Sequence, residues 1–337
     1  MSKITVSIVG ATGYTGNELL RILKAHPEVE VIRLTSSSSL GKRISDVCPH
    51  FTGVYNLKLE KFSEKVFESE VVFFALPHGK SSATLNKLPE KSKIIDLAGD
   101  FRISDPEIFE RFYGSKHSVL QKNFIYGFPE KNRETIANAN FIANPGCFAC
   151  AVELAVFPFV SITEKYFVSG LTGSSGSGKY PKEVAHHPVR SNNLKAYKID
   201  SHQHIPEIFE SLELAEATEF YFAAHSVPNV RGILVSAFLD LKKGISEKDM
   251  WELLENKYAK EKQIRIRKNP ENVQTAYVSG SNFCDISAKF INPHKIFVVT
   301  AIDNLIKGAA GNAVQNMNIL FGLPEITSLS SLSPIYP

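Results

Sequence analysis

The chain has little cysteine, little net charge and no long apolar run, and each absence excludes a class of protein. Four cysteines among 337 residues are too few for the disulfide framework of a small secreted protein. Lysine and arginine number 38 against 35 for aspartate and glutamate, so a net charge of +3 gives no whole-chain reason to expect nucleic acid. No apolar run reaches the roughly 18 residues of a membrane-spanning helix. We therefore expect neither nucleic acid nor a membrane as partner.

The N-terminus and the composition indicate a protein of the cytoplasm. Met-Ser-Lys leads directly into the strand-like run ITVSIVG, without the apolar core or the cleavage site of a signal peptide. The few cysteines fit the same reducing compartment. With 43% hydrophobic and 22% charged residues the composition is that of ordinary globular proteins. The length predicts about two domains.

The pattern of apolar runs changes near residue 147. Before it, strands are predicted at Ile4–Val9, Val29–Leu34, Val71–Leu76, Ile94–Leu97 and Asn140–Ala143, with helical stretches between them. Buried strands that alternate with helices are typical of a parallel sheet covered on both faces. After residue 147 longer strand candidates follow with fewer helices between them. The fold class is therefore α/β, with a mixed α+β second domain.

A glycine-rich turn after the first strand predicts a dinucleotide site. It has the spacing G-x-x-G-x-x-G, and its members are Gly10, Ala11, Thr12, Gly13, Tyr14, Thr15 and Gly16. Glycines let the backbone approach a pyrophosphate, which the N–H groups at the start of the next helix then hold. The alternative is a glycine-rich turn without a ligand.

The residues after the second strand favour NADP(H) over NAD(H). An acidic residue there would bind the ribose hydroxyls of NAD and repel the 2′-phosphate of NADP. This chain instead has a serine run, followed by Lys42 and Arg43. Because hydroxyl groups donate hydrogen bonds to phosphate oxygens, we expect Ser36 and Ser38 to contact the 2′-phosphate. A solvated loop is the alternative.

Cys147 is the candidate nucleophile. It ends the turn Asn-Pro-Gly-Cys of residues 144–147 and precedes an apolar, helical stretch, Phe148–Phe157. At a helix N-terminus the dipole favours the thiolate, and nearby N–H groups can hold an oxyanion. Cys150 completes a C-x-x-C pair, but no second pair follows, so no metal site is expected.

His202 and His204 are the candidate acid/base groups for this thiol. On an extended segment, histidines two residues apart point the same way, so one can move protons while the other orients it or the substrate. A metal site is the rival interpretation, but the sequence offers no clear third ligand.

Ten sequence blocks in the same order resemble the N-acetyl-gamma-glutamyl-phosphate reductase family. They are GATGYTG, LPHG, DLAGDFRISD, YGFPEKNR, NPGC, TGSSGSG, NNLKAY, HQHIPEI, HSVPNVRGI and AIDNLIKGAAGNAVQNMN, within residues 4–325. The resemblance implies an enzyme of arginine biosynthesis that uses NADPH and a cysteine thioester to reduce N-acetyl-L-glutamyl 5-phosphate, a small acyl phosphate, to its semialdehyde. The same chemistry on an aspartyl or carrier-linked aminoadipyl phosphate stays open, as does a non-catalytic NADP sensor.

The resemblance also implies the architecture of the related aspartate-semialdehyde dehydrogenases. An N-terminal Rossmann-like domain would cover residues 1–147, and a mixed α/β catalytic and oligomerisation domain would cover residues 148–303. A C-terminal helix, within about residues 304–337, would rejoin the first domain. Relatives form homo-oligomers, so a homodimer or homotetramer is expected.

Family knowledge further assigns roles to matching residues. Cys147 becomes the catalytic cysteine, with His202 and His204 near it. The cofactor would also contact Pro77, Gly176, Ser177 and Asn304. The anionic substrate would contact Arg102, Asn144 and Arg231, since a guanidinium pairs bidentately with carboxylate and phosphate. The alternative for each arginine is a structural ion pair.

Overall fold

A computed structural model describes residues 2–335, which form two compact units. The first unit runs to residue 145 and resumes over residues 309–332, and the second comprises residues 146–308 and begins again at residue 333. The sequence predicted the boundary between the two domains near residue 147 and the return of the chain to the first domain at about residue 304. The return begins later because residues before 309 bond within the second unit. Asn304, for example, accepts the Gly232 amide hydrogen at 2.8 Å.

The first unit is built on a parallel sheet, as the apolar runs predicted, and the sheet has seven strands where the sequence predicted five. The strands are β1 (Ile4–Val9), β2 (Val29–Thr35), β3 (Leu59–Glu60), β4 (Val71–Phe74), β5 (Lys93–Asp96), β6 (Ile125–Tyr126) and β7 (Phe141–Ala143). Their order is β3-β2-β1-β4-β5-β7-β6, and these neighbours all pair in parallel. The strand order reverses between β1 and β4, which opens a crevice at their carboxyl ends.

Five helices connect these strands. They are α1 (Tyr14–Lys24), α2 (Ile44–Val47), α3 (Lys80–Thr84), α4 (Pro106–Tyr113) and α5 (Pro129–Ala137). All four residues of β4 are buried, as expected for a strand covered on both faces. β4 ends at Phe74, two residues before the predicted end. Pro77 follows soon after and has no N–H to continue the ladder.

The second unit contains a mixed sheet of seven strands. They are β8 (Thr163–Thr172), β9 (Lys195–Tyr197), β10 (Glu219–Ser226), β11 (Ile233–Leu241), β12 (Ile264–Ile266), β13 (Cys284–Asn292) and β14 (Lys295–Ile302). Their order is β12-β13-β14-β11-β8-β10-β9. The pairs β12–β13 and β8–β10 are parallel and the others are antiparallel, so the expected α/β fold with a mixed second domain is confirmed.

Four helices accompany this sheet, and the first of them carries Cys147. They are α6 (Cys147–Val156), α7 (His187–Arg190), α8 (His204–Leu212) and α9 (Glu247–Tyr258). Every residue of α6 after Cys147 is buried. The helix packs against β11, β14 and α8, which explains why its sequence is apolar on all sides except at Glu153, which is buried as well.

The chain returns to the first unit through a π-helical turn, Ile306–Ala310, and a final helix, α10 (Gly311–Leu320). The sequence predicted this helix from about Asn304, two residues before the π-helical turn begins. All ten residues of α10 are buried, and it packs against α1 and α5. Within residues 2–335, none of the helices combines the length and the apolar character that a membrane span requires.

Candidate active site and dinucleotide site

The glycine-rich turn leaves β1 at the crevice between β1 and β4. Gly10 has a φ of +89°, and a Cβ atom there would lie 2.4 Å from the carbonyl oxygen of Ala75, just after β4. A Cβ on Gly16 would lie 2.5 Å from the carbonyl oxygen of Gly10. Both positions therefore require glycine. The close backbone packing is what a turn that cradles a pyrophosphate needs.

The helix after this turn is suited to an anion. α1 begins at Tyr14 with Gly13 as its N-cap, and no side chain caps its first amides. Its first turn contains no acidic residue, whereas Arg21 and Lys24 lie in its last turn. The positive end of the dipole is thus open to a negative ligand. These features fit a dinucleotide phosphate group.

Ser36 lies against the same turn. Its Oγ is 3.4 Å from the Thr12 hydroxyl and accepts the amide hydrogen of Ser38 at 3.4 Å. Ser36 is buried and Ser38 is exposed. Lys42 and Arg43 are also exposed, and no carboxylate in the described chain forms an ion pair with either. The end of β2 therefore offers hydroxyls and cations, and the nearby carboxylates of Glu60 and Asp46 are bound by Arg33 and by the Arg43 amide.

A buried aspartate holds the loop that contains Pro77. The carboxylate of Asp100 accepts the amide hydrogens of Gly79 at 2.6 Å and of Ser82 at 2.9 Å. The Ser82 hydroxyl adds a third hydrogen bond at 3.1 Å. The loop follows β4, so Pro77 lies on the edge of the sheet where the glycine-rich turn begins. Sequence reasoning did not assign a role to Asp100.

Arg102 is buried in the first unit. It is 5% exposed and donates to the carbonyl oxygen of Leu97 at 2.9 Å. Its charge also acts on Asp96 at the end of β5. Burial and the neighbouring charge of Asp100 raise the pKa of Asp96 to about 7, against the influence of Arg102. These contacts correspond to the structural alternative for Arg102, and its contact with substrate stays a prediction.

Asn144 is bound by α10. It is 1% exposed, and its Oδ1 accepts hydrogen bonds from Asn312 at 3.0 Å and Asn316 at 3.1 Å. Its Nδ2 donates to the carbonyl oxygen of Ala309 at 3.2 Å. The side-chain amide thus helps to close the first unit. A contact with substrate also stays a prediction here.

Cys147 is the first residue of α6, as the Pro-Gly turn predicted, and Gly146 is its N-cap. Glu207 of α8, which is 1% exposed, accepts the Gly146 amide hydrogen at 2.5 Å. A Cβ atom on Gly308 would lie 2.9 Å from the Cβ of Cys147. The thiol-bearing turn is thus held from two sides. Glu207 stands three residues after His204 in the sequence, and this short spacing from a candidate acid/base residue could have marked it as part of the site.

The second thiol of the pair is deeply buried. The Sγ of Cys150 lies 3.5 Å from the carbonyl oxygen of Lys307, and the side chain is fully buried. All four cysteines are free thiols, and Cys147 alone is partly exposed. Cys147 is therefore the thiol that a substrate can reach.

The two histidines do not lie on an extended segment, so that expectation is wrong. α8 begins at His204, and Gln203 already has helical angles, with φ −59° and ψ −13°. Pro206 falls in the first turn, where its missing N–H does not interrupt the helix. The rings of His202 and His204 are nevertheless close, with centroids 4.7 Å apart.

His202 lies in an aromatic enclosure. It is 3% exposed, and its ring centroid is 5.4 Å from Phe148, 5.6 Å from Phe222 and 5.8 Å from Tyr197. Its Nδ1 accepts the amide hydrogen of His204 at 3.2 Å, so the neutral ring carries its proton on Nε2. Because Phe148 directly follows Cys147, the histidines lie at the start of α6.

Arg231 pairs with a buried carboxylate. Its Nη1 lies 3.4 Å from Oδ2 of Asp303, which also accepts the amide hydrogen of Gly280 at 2.8 Å. Asp303 is fully buried, so the pair helps to neutralise it. Arg231 thus has the structural partner that the sequence left open, and its predicted contact with substrate is untested.

Asn304 links two turns of the second unit. Its Nδ2 donates to the Ser175 hydroxyl at 2.9 Å, and its Oδ1 accepts from Gly232. Gly176 and Ser177 belong to the same short turn, Ser174–Ser177, after β8. The three predicted cofactor residues of this unit therefore lie together. Among residues 2–335, no group of three or more metal-ligating side chains is arranged to hold an ion.

Two family models match successive parts of the chain. The model described as "Semialdehyde dehydrogenase, NAD binding domain" matches residues 5–139. The model described as "Semialdehyde dehydrogenase, dimerisation domain" matches residues 147–304. The two matches meet close to the point where the structure changes from the first unit to the second.

Curated relatives match over nearly the full length. Proteins named N-acetyl-gamma-glutamyl-phosphate reductase are 41% identical in Methanococcus maripaludis, over 97% of this chain and 98% of the relative. In Methanosphaera stadtmanae the identity is 39% over 100% of both chains, and in Bacillus cereus 40% over 98% and 99%.

Solved structures of similar fold are aspartate-semialdehyde dehydrogenases. The enzyme II of Vibrio cholerae, complexed with ASA, has a TM-score of 0.71 at 18% identity and covers 96% of this chain and 99% of its own. The enzyme of Candida albicans with NADP has a TM-score of 0.70 at 16% identity and covers 95% and 99%. These likenesses show the fold that the sequence predicted.

Proposed function

The chain belongs to the N-acetyl-gamma-glutamyl-phosphate reductase family and is an oxidoreductase of the semialdehyde dehydrogenase type; from this we propose that it reduces N-acetyl-L-glutamyl 5-phosphate to N-acetyl-L-glutamate 5-semialdehyde with NADPH. The step would belong to arginine biosynthesis. The observation that carries the proposal is Cys147 at the start of α6, partly exposed beside two buried histidines. A binding protein without catalysis needs none of these.

We propose covalent catalysis through Cys147. The thiolate attacks the acyl carbon, the C–S bond forms, and the C–O bond to phosphate breaks with its electron pair on the phosphate. Bound NADPH supplies the hydride that reduces this thioester. Collapse of the resulting thiohemiacetal releases the aldehyde and restores the thiolate. His202 or His204 donates a proton to the alkoxide that hydride transfer leaves, and takes the same proton back as the C–S bond breaks.

The start of α6 supports the attack in two ways. The helix dipole favours the thiolate and the oxyanion that forms on the acyl group. Glu207 already binds the Gly146 amide, so amides later in the turn are the proposed oxyanion donors.

The test of the proposed function is the reverse reaction. Wild-type protein is mixed with N-acetylglutamate semialdehyde, phosphate and NADP⁺, and NADPH formation is followed by absorbance. We expect activity that depends on both phosphate and NADP⁺ and that exceeds activity with aspartate semialdehyde. A preference for aspartate semialdehyde, or activity without phosphate, would contradict the proposal.

The preference for NADP(H) is proposed to come from the end of β2. Replacing Ser36 with aspartate should weaken NADPH binding by about a hundredfold, because a carboxylate there repels the 2′-phosphate. NADH binding should change far less. Both are measured by fluorescence titration. Thr52→Asp adds the same charge on an exposed turn of the same unit and should leave both affinities unchanged. Equal losses for NADPH and NADH would refute the assignment.

We also propose that the chain forms a homo-oligomer through the second sheet. Four aromatic residues lie in register across adjacent strands, and this aromatic row consists of Tyr221, Phe167, Phe238 and Phe297. The first three are 47%, 41% and 45% exposed. An apolar row of this extent on an outer face is typical of a subunit interface. A second copy of the chain, in a homodimer or a dimer of dimers, is the proposed partner.

A charge in the aromatic row should separate the subunits. Phe238→Lys should weaken self-association about thirtyfold or more, because it buries an unpaired cation in place of an apolar anchor. Light scattering after size-exclusion chromatography would show the mass falling to that of one chain. Val119→Lys, an 82% exposed position of the first unit, is the control and should keep the wild-type mass. A single-chain mass for wild type would refute the interface.

A further inference from the structure

A long exposed segment precedes the candidate histidines. Residues 178–201, here called the basic segment, run from the turn after β8 to His202, and most of them are exposed. Its five cations outnumber its two acidic residues, and they are Lys179, Lys182, Arg190, Lys195 and Lys198. Sequence reasoning assigned no role to any of them. Arg190 differs from the other four because backbone carbonyl groups bind its side chain.

Arg190 is built into the end of the second sheet. Its Nε donates to the carbonyl oxygen of Val227 at 3.1 Å, just after β10. Its Nη2 donates to the carbonyl oxygen of Thr172 at 3.2 Å, the last residue of β8. Two neighbouring parallel strands thus fix the guanidinium. These bonds leave the donors of Nη1 for another acceptor.

The charge of Arg190 has no counter-ion within residues 2–335. No carboxylate in the part of the chain that the structure describes forms an ion pair with it, although the side chain is partly buried. Burial accordingly lowers the pKa of Arg190. Arg231, by contrast, pairs with Asp303, and Arg102 interacts with Asp96. A fixed, partly buried cation without an acidic partner is a site for an anion.

Tyr197 connects this cation with the reaction centre. Its ring lies 5.8 Å from His202. Burial raises the pKa of Tyr197 well above its ordinary value, the charge of Cys147 raises it further, and Arg190 opposes the shift. Tyr197 also pairs with Ala224 of β10, three residues before the Val227 carbonyl oxygen that binds Arg190. All four residues belong to the second unit.

We propose that Arg190 binds the phosphoryl group of the substrate, and phosphate in the reverse reaction. This inference rests on the proposed function. The phosphoryl group is attached directly to the carbon that Cys147 attacks, whereas three further carbons separate the α-carboxylate from that carbon. An arginine close to the thiol therefore meets the phosphoryl group. The guanidinium fork suits phosphate oxygens and stabilises the leaving phosphate.

The test measures each Michaelis constant of the reverse reaction separately. Arg190→Gln should raise KM for phosphate by about tenfold to a hundredfold, the usual size for losing a charged hydrogen bond, with KM for the semialdehyde changed less than about threefold. Arg190→Lys should recover part of the loss, because it keeps the charge without the fork. Lys195→Gln removes an exposed cation of the same segment and should match wild type.

Two results would overturn the assignment. A rise confined to KM for the semialdehyde would place the α-carboxylate, and not the phosphoryl group, on Arg190. Unchanged constants in Arg190→Gln would exclude any role in anion binding. Thermal unfolding of each variant, compared with wild type, separates these results from a loss of folding.

A second measurement does not depend on turnover or on the identity of the aldehyde. Inorganic phosphate should slow the alkylation of Cys147 by iodoacetamide in wild type. Arg190→Gln should need at least tenfold more phosphate for the same protection. Equal protection in both proteins, or none in wild type, would refute phosphate binding at Arg190. If the reverse assay failed with N-acetylglutamate semialdehyde while this difference persisted, the proposed substrate would be wrong and the anion site would stand.

Discussion

Replacing Cys147 with serine should lower turnover by about a thousandfold or more and leave NADPH binding unchanged. A serine hydroxyl is not ionised near neutral pH and cannot form the thioester at a useful rate. The substitution is nearly isosteric, so the close contact with Gly308 and the start of α6 should persist. Turnover is measured in the reverse assay and NADPH binding by fluorescence titration.

Cys150 provides the matched control for this experiment. Cys150→Ser changes the same atom one helical turn further along α6, where the side chain is fully buried and faces the carbonyl oxygen of Lys307. We expect turnover within a few-fold of wild type. Activity like that of wild type in Cys147→Ser, or a comparable loss in Cys150→Ser, would contradict the assignment of the nucleophile.

Replacing Glu207 should produce the second largest loss. Glu207→Ala leaves the buried amide of Gly146 without its acceptor, which costs about 1–3 kcal/mol and loosens the turn before Cys147. We expect turnover to fall by about a hundredfold, since a small displacement of a nucleophile is enough for such a loss. Glu207→Gln keeps an acceptor oxygen and should lose much less.

The reactivity of the Cys147 thiol at different pH values distinguishes the effect of the Glu207 charge from the effect of its hydrogen bond. A carboxylate near Cys147 disfavours the thiolate, so the measured thiol pKa should be lower in Glu207→Gln than in wild type. The rate of alkylation by iodoacetamide against pH reports this value. Glu210→Gln removes an exposed carboxylate of the same helix and should leave the curve unmoved. An unshifted curve in Glu207→Gln would show that the carboxylate acts on the backbone alone.

Local patterns in the sequence were sufficient for the elements that carry the site. β1 was predicted at Ile4–Val9 and lies there, because an apolar run ends in a glycine-rich turn that permits one backbone path. The start of α6 at Cys147 followed from Pro145 and Gly146 for the same reason. In both places neighbours along the chain decide the conformation.

Pairings between polar groups that are distant along the chain could not be predicted from the sequence. The sequence suggested no protein partner for the Asn144 side chain, and its amide partners stand 168 and 172 residues further along. Glu207 stood inside a recognised block, yet its bond to Gly146 spans 61 residues. Residue type indicates that a buried polar group needs a partner, but only the fold determines which partner it meets.

The basic segment shows the same limit for charges. Arg102 and Arg231 were chosen by their motifs, and the structure gives each an acidic neighbour. Sequence analysis gave Arg190 no role, and of these three arginines it alone has no carboxylate partner within residues 2–335. An uncompensated charge can be recognised only after every carboxylate has been located.

The discontinuity of the first unit determines the order in which the chain can fold during synthesis. Asn312 and Asn316 of α10 donate to the carbonyl oxygen of Gly127, and Asn318 binds His26. When residues 1–145 leave the ribosome, the whole of residues 146–308 must still be made before these partners exist. The second unit is contiguous over that stretch, so it can fold before the dinucleotide-binding unit is complete. A nascent chain stopped before α10 would therefore have a complete thiol site and an incomplete nucleotide site.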